Sequence, residues 1–376
     1  LLHSGAASEP LLRTVGPPIQ KGSTVLLPNA AALYDETRPT YGRQGLASHE
    51  ALIEGLAALE HGTSVSLFPS GIAALTGAML AVLKAGDEVL VTDAIYRPTR
   101  RFCDRVLRRY GVGVTYYPPG ASADELMALA GPATRLIVME SPGSLTMEMA
   151  DAPAIAAASR ARGVLSLMDN TWGAGLWFRP LDHGVDISVQ ALTKYVGGHS
   201  DVFMGSAATA DPALGAALDQ GILDFGWAVS PEDAYMMLRG LRTLPTRLVR
   251  HQESALTVAA WLADQPAVGQ VLYPPLKGAP DHDLWKRDFT GAAGLFSFVL
   301  EGADDARKDR FLDALKIFGL GFSWGGFESL AVDCDPQFTV RVTPPRLPGP
   351  LIRLSIGLED PADLIADLDQ ALAASA

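Results

Sequence analysis

The chain has 376 residues, 48% of them apolar and 19% charged, with a formal net charge of −12. This composition excludes a disordered chain and fits an enzyme-sized globular protein with two domains, or one large domain and a smaller partner. The acidic balance argues against a nucleic-acid surface, and the one mixed basic patch, Arg97 to Arg109, reads as a solvated helix face.

Cys103 and Cys334 stand far apart and in no metal-ligand spacing, so neither a disulfide framework nor a zinc site is expected. The longest apolar run, Gly71 to Leu83, stops at Lys84, short of the ~20 residues that span a bilayer. No membrane partner is expected, no secretory leader is read before the first motif, and the cytosol is the expected compartment.

Residues 1 to 45 carry Pro10, Pro17, Pro18, Pro28 and Pro39 with little helical periodicity. They read as an extended arm without a core of its own, ending at Tyr41-Gly42-Arg43. Ser48 is the expected N-cap of an amphipathic helix through Leu59, closed by Gly62. The next strand, Val65 to Pro69, turns into a helix at Ser70-Gly71-Ile72, where unpaired amides and the helix dipole favour an anion. A glycine at such a turn is also ordinary turn chemistry.

Glu88 to Asp93 forms the following strand, with Tyr96 just beyond its carboxyl end, and a helix with Pro98 in its first turn is expected to reach Gly111. Strands at Val114 to Tyr117, Leu136 to Met139 and Val164 to Met168 alternate with helical stretches near 123–130 and 152–162. That alternation predicts an α/β fold with a parallel sheet between helices.

The strand Val164 to Met168 ends in Asp169, and the apolar strand before Gln190 leads to Lys194 and the glycine pair Gly197-Gly198. Open α/β sheets place ligands at strand carboxyl ends, so a lysine and a carboxylate would share one cleft. Lys194 could instead pack its stem on apolar surface with its ammonium in water. Pyridoxal phosphate needs this pair, a lysine to bond it covalently and a carboxylate to keep its ring nitrogen protonated. His199 and Asp201 lack a third ligand at a suitable spacing, so no metal is expected.

A long helix is read from Thr246 to about Leu262, and the strand Gly294 to Val299 and the run Leu351 to Ser355 belong to an α/β tail. Arg353 lies inside that last apolar strand, where a guanidinium needs an anion, either an internal carboxylate or a ligand.

On Glu140-Ser141-Pro142-Gly143-Ser144-Leu145-Thr146, Asp169-Asn170-Thr171-Trp172 and Thr193-Lys194-Tyr195-Val196-Gly197-Gly198-His199-Ser200-Asp201, the chain resembles the transsulfuration enzymes, the cystathionine lyases and synthases of fold-type I pyridoxal-phosphate proteins. The likeness is closest to the bacterial β-lyase branch and runs from Leu2-His3-Ser4-Gly5 to Arg353-Leu354-Ser355-Ile356-Gly357. It implies a mostly parallel seven-stranded sheet in a cofactor domain over 46–240, a smaller α/β domain over 241–376, and an arm over 1–45 that reaches a neighbouring subunit.

By the same resemblance, Lys194 carries pyridoxal 5'-phosphate and moves the proton, Asp169 serves the ring nitrogen, Tyr96 stacks on the ring, and Gly71, Ile72 and Thr193 hold the phosphate. Tyr41 and Arg43 would reach the phosphate of the neighbouring subunit, and Arg353, Ser323 and Trp324 the substrate carboxylate. The implied reaction is β-elimination of L-cystathionine or a related cysteine S-conjugate to a thiol, pyruvate and ammonia, in a homotetramer built as a dimer of dimers. Chemistry of the γ-lyase or γ-synthase type is the alternative within enzymes, and a non-catalytic binding protein on the same scaffold is the alternative outside them.

Overall fold

The computed structural model describes residues 14–35 and 37–376, so the segment Leu2 to Gly5 lies outside the described residues. Seven strands form the larger sheet: β1 (Ser64–Phe68), β2 (Glu88–Thr92), β3 (Gly113–Tyr117), β4 (Thr134–Glu140), β5 (Leu165–Asp169), β6 (Ile187–Gln190) and β7 (Gly205–Thr209). Their order is β1-β7-β6-β5-β4-β2-β3. Strands β2 to β6 pair in parallel, and β7 pairs antiparallel with both β1 and β6.

Period-two alternation sends successive side chains to opposite faces. Leu90, Ile137, Met139 and Met168 join the core that holds helices α1 (Ala47–Glu60), α4 (Ala123–Leu129), α5 (Ala152–Ala161) and α7 (Pro231–Ala263). Val89, Val91, Val138 and Leu167 face the opposite core, with α2 (Gly71–Val82), α6 (Pro212–Phe225) and the end of α3 (Arg97–Phe102). A second sheet, in the order β10-β11-β12-β9-β8, comprises β8 (Val268–Leu272), β9 (Leu295–Leu300), β10 (Gly319–Leu320), β11 (Leu330–Asp333) and β12 (Leu351–Ser355). The molecule is therefore α/β, with a mostly parallel seven-stranded sheet and a smaller sheet beside it.

Several local expectations are corrected. Helix α1 starts at Ala47, where the Leu46 amide donates to His49 Nδ1 at 3.1 Å, while Ser48 donates to the Pro18 carbonyl and ties down the arm. The helix closes at Glu60 and His61 takes the left-handed conformation, φ 57°. After α3 the backbone widens through a π-helical stretch, Cys103–Leu107, and then tightens into a short 3₁₀ turn before Gly111.

The long helix is not confined to the stretch after Thr246: α7 runs unbroken from Pro231 with Pro245 inside it. Proline there removes one intrahelical donor, which makes the sequence read as two pieces. Packing against α1, β8 and β9 keeps the helix whole, and Gly240 lies within it. A Cβ on Gly240 would sit 2.2 Å from the Val196 carbonyl oxygen, so only glycine lets α7 approach the loop that carries Lys194.

The basic patch is not wholly solvated. Arg100 is buried, ion-paired with the buried Asp93 and stacked 3.6 Å over the Tyr116 ring. Asp93 also accepts from the Val342 and Thr343 amides, so this pair binds the loop before β12 to the end of β2. Removing one partner of a buried pair strands the other charge away from water. Arg100→Met should therefore lower the unfolding free energy by about 3–5 kcal/mol in urea denaturation; unchanged transitions would show that the pair contributes nothing to stability.

Candidate active site

The carboxyl ends of the parallel strands open into a cavity of about 350 Å³. Its wall includes Lys194, Asp169, Tyr96, Thr193, Ser323 and Trp324, together with the Gly71 and Ile72 start of α2. The structure thus brings eight of the sequence-assigned residues to one place.

Lys194 follows β6 by four residues in a tight turn, with its amide donating to the Ala191 carbonyl at 3.0 Å and its own carbonyl accepting from Gly198 at 2.8 Å. Arg247 of α7 donates to the Tyr195 carbonyl at 2.6 Å and the Val196 carbonyl at 3.2 Å, bracing the turn from behind. The Lys194 ammonium donates to Ser323 Oγ at 3.0 Å and lies 5.4 Å from the centre of the Trp324 ring. Burial, reinforced by the Arg353 charge and opposed by Asp169, brings its pKa down to about 8.

Asp169 ends β5 beside β6, opposite Val189. Its Oδ1 accepts from the Thr171 hydroxyl at 2.5 Å and the Thr171 amide at 3.0 Å, and the same hydroxyl accepts from the Ala191 amide. Burial pushes the Asp169 carboxyl up, against the pull of the Thr171 donors and Lys194. It has no ion-pair partner among the described residues. A buried carboxylate with donors on one oxygen and no cation suits a protonated ring nitrogen.

Helix α2 begins beside this pair, with Ser70 accepting from the Ala73 amide as N-cap. The amides of Gly71 and Ile72 are the first of the helix and have no partner within it. A Cβ on Gly71 would meet Ala191 Cβ at 2.4 Å, so glycine is what lets the helix start lie against the strand end. Thr193 braces the other side, its hydroxyl donating to the Met204 carbonyl and accepting from the Met204 amide. A helix of twelve residues that opens on free amides next to a lysine and a buried carboxylate fits a phosphorylated pyridine.

Tyr96 is 39% exposed at the cavity wall, and burial, then Glu140, raises its pKa. Arg353, only 5% exposed, lies behind the wall rather than in it. It donates to the carbonyls of Ser144 and Phe322 at 3.3 and 3.2 Å and has no carboxylate partner among the described residues. Tyr41 and Arg43 do not enter this cavity. Arg43 lines a separate groove with Arg38 and His49 and donates to the Leu223 carbonyl, 5.8 Å over the Tyr41 ring.

Residue types alone did not single out Thr171, Phe203, Phe322 or Glu140, all of which serve or line the cavity. Glu140 was detectable, because it ends the apolar run of β4 just as Asp169 ends β5.

A family model described as Cys/Met metabolism PLP-dependent enzyme matches residues 1–373. The chain belongs to that family. Pyridoxal 5'-phosphate is its cofactor, in agreement with the fit of the cavity. Among relatives in the Cys/Met metabolism family, the chain is 49% identical to a putative cystathionine beta-lyase of Rhizobium johnstonii, covering 96% of this chain and 92% of the relative. It is 40% identical to the cystathionine beta-lyase MetC of Escherichia coli, covering 99% and 97%. The crystal structure of metB from Corynebacterium glutamicum superposes with a TM-score of 0.92 at 31% identity, covering 99% of this chain and 96% of that one.

A pKa of about 8 means that Lys194 loses its proton well below an ordinary lysine. In the cofactor-free protein, acylation of Lys194 by an amine reagent should rise with a midpoint near pH 8 when followed by peptide mapping. Asp169→Asn should move that midpoint down and Arg353→Met should move it up, because the first removes a stabilising anion and the second a repelling cation. A Lys194 midpoint equal to that of the exposed lysines would contradict this half-buried placement between Arg353 and Asp169.

Proposed function

We propose that the protein is a carbon-sulfur lyase that β-eliminates L-cystathionine and related cysteine S-conjugates, releasing homocysteine or another thiol, pyruvate and ammonia. The observation that carries this reading is the shared cavity of Lys194 and Asp169 in a chain 40–49% identical over nearly its whole length to cystathionine beta-lyases. No described helix is long and apolar enough to cross a membrane, and the reading places the enzyme in the cytoplasm, in methionine synthesis.

When bound, pyridoxal phosphate supplies an electron sink for the negative charge left at the substrate Cα. Lys194 would bond the cofactor and supply the amine that takes the Cα proton, and the burial that lowers its pKa favours the neutral form that this needs. Ser323 aims that amine by accepting its hydrogen bond. Asp169, fixed by Thr171, holds the proton on the ring nitrogen. The Gly71 and Ile72 amides and the Thr193 turn hold the phosphate at the start of α2.

Tyr96, at the cavity wall, would face the cofactor ring and, with Lys194, hand a proton to the departing sulfur. Arg353 is the cation for the substrate carboxylate, with Ser323 and Trp324 beside it; its present bonds to two neutral carbonyls leave its charge for a ligand. Incubation with L-cystathionine should yield pyruvate and homocysteine in equal amounts. 2-Oxobutyrate as the main keto acid would mark γ-elimination and overturn the assignment.

The arm extends the proposal to the assembly. Residues 1–45 form an arm and 46–240 and 241–376 the two domains of the reading, with Tyr41 and Arg43 reaching the phosphate of a neighbouring subunit in a homotetramer of two active dimers. That neither lines its own chain's cavity supports this. Arg43→Ala and Lys194→Ala chains, each inactive alone, should regain activity when mixed under conditions of proven subunit exchange. A mixture that stays inactive, or a fully active monomer, would exclude the shared site.

A further inference from the structure

Glu140 is a second carboxylate in the cavity wall, half-buried, and the chemistry above gives it no task. It ends β4 in register with Asp169 of β5, so two acidic side chains stand on adjacent strand ends. Like Asp169, it has no ion-pair partner among the described residues. Burial and the neighbouring Asp169 charge hold its carboxyl well above the ordinary range. A carboxyl group held partly out of water without a cation calls for a specific hydrogen-bonding duty.

That duty is visible. Glu140 Oε2 accepts from the Tyr96 amide at 2.7 Å. Tyr96 sits at the start of the six-residue α3 with no side-chain cap, and its ring is too exposed for packing alone to fix it. A second bond lashes the same two strand ends, from the Ser144 amide to the Ala94 carbonyl at 3.2 Å. Ser144, beside Glu140, also offers its carbonyl to Arg353. The carboxyl group therefore joins the tyrosine on one side of the cavity to the shell of the arginine on the other.

The geometry points to Glu140 as a positioning residue for the proposed elimination: it anchors the Tyr96 main chain and thereby fixes the phenol at the cavity wall. This inference rests on the reading of Tyr96 as the tyrosine that faces the reacting groups. Glutamate suits the task because its carboxyl oxygen reaches across from β4 to the loop beyond β2 and accepts the amide at short range.

The test is a double-mutant cycle with an independent measurement on the cofactor-free protein. Glu140→Leu should lower kcat/KM by about 10²-fold, the loss that a misplaced group brings. In a Tyr96→Phe background the same change should cost less than about threefold, because the hydroxyl it positions is already gone. Glu140→Gln, which keeps an acceptor of the same reach, should recover most of the loss, whereas Glu140→Asp, shorter by one methylene, should not. Hydrogen–deuterium exchange of the peptide bearing the Tyr96 amide should quicken by about tenfold in the Leu and Asp variants without cofactor, and Asp serves alone if Leu does not fold. A full 10²-fold cost in the Tyr96→Phe background, or unchanged exchange at Tyr96, overturns the anchor. Wild-type turnover of Tyr96→Phe alone instead overturns the reading of Tyr96, so the two failures are distinguished.

Discussion

Lys194, Asp169, Glu140 and Arg353 are four ionisable groups around one cavity, Asp169 and Arg353 buried, Lys194 and Glu140 half-buried, and none forms an ion pair among the described residues. Each would be costly to bury alone. The fold offsets part of that cost with neutral partners: Ser323 for Lys194, Thr171 for Asp169, the Tyr96 amide for Glu140, and two carbonyls for Arg353. What stays unmet is the individual charges of Asp169 and Arg353, which a cofactor with a protonated ring nitrogen and a substrate with a carboxylate would answer. The same burial that disfavours charge also produces the reactivity, since it is the first cause of the low Lys194 pKa.

Such an arrangement works only if the groups cannot drift. The Lys194 turn is fixed from three sides: by the Thr193 bonds to Met204, by the Gly71 contact with Ala191, and by Arg247 of α7. Arg247 is itself a buried cation whose partners are neutral, three carbonyls and the Thr243 hydroxyl, and burial lowers its pKa to about 10. Because α7 also packs on the second sheet, one rigid helix relates the lysine turn to the strand that bears Arg353. On the far side of the cavity, Asp93 and Arg100 connect the end of β2 to the loop before β12. Catalytic placement and domain packing are therefore the same set of contacts.

Much of the fold and the centre of the site were legible in the sequence. The α/β alternation came from short apolar runs, and each run that closed on a charged or small residue marked a strand end, which is how Lys194, Asp169 and Gly71 were found. Glu140 obeyed the same rule. Its role stayed hidden because its partner is the amide of Tyr96, 44 positions earlier, and a backbone donor leaves no mark on residue type. Arg100 was misread for a related reason: its neighbours in sequence are basic and exposed, while its partner Asp93 is buried by the sheet.

The sequence by itself determined the class of fold and the chemical types at its strand ends, because apolar periodicity and chain punctuation are local and survive without coordinates. Only the tertiary structure decided which groups meet. Lys194 and Ser323 lie 129 positions apart, and Arg353 and Ser144 lie 209 apart. It also decided that α7 continues through Pro245 and that Arg353 sits one layer behind the cavity wall. The burial of a polar group and the identity of its partner depend on elements distant in the chain, and no local pattern encodes them.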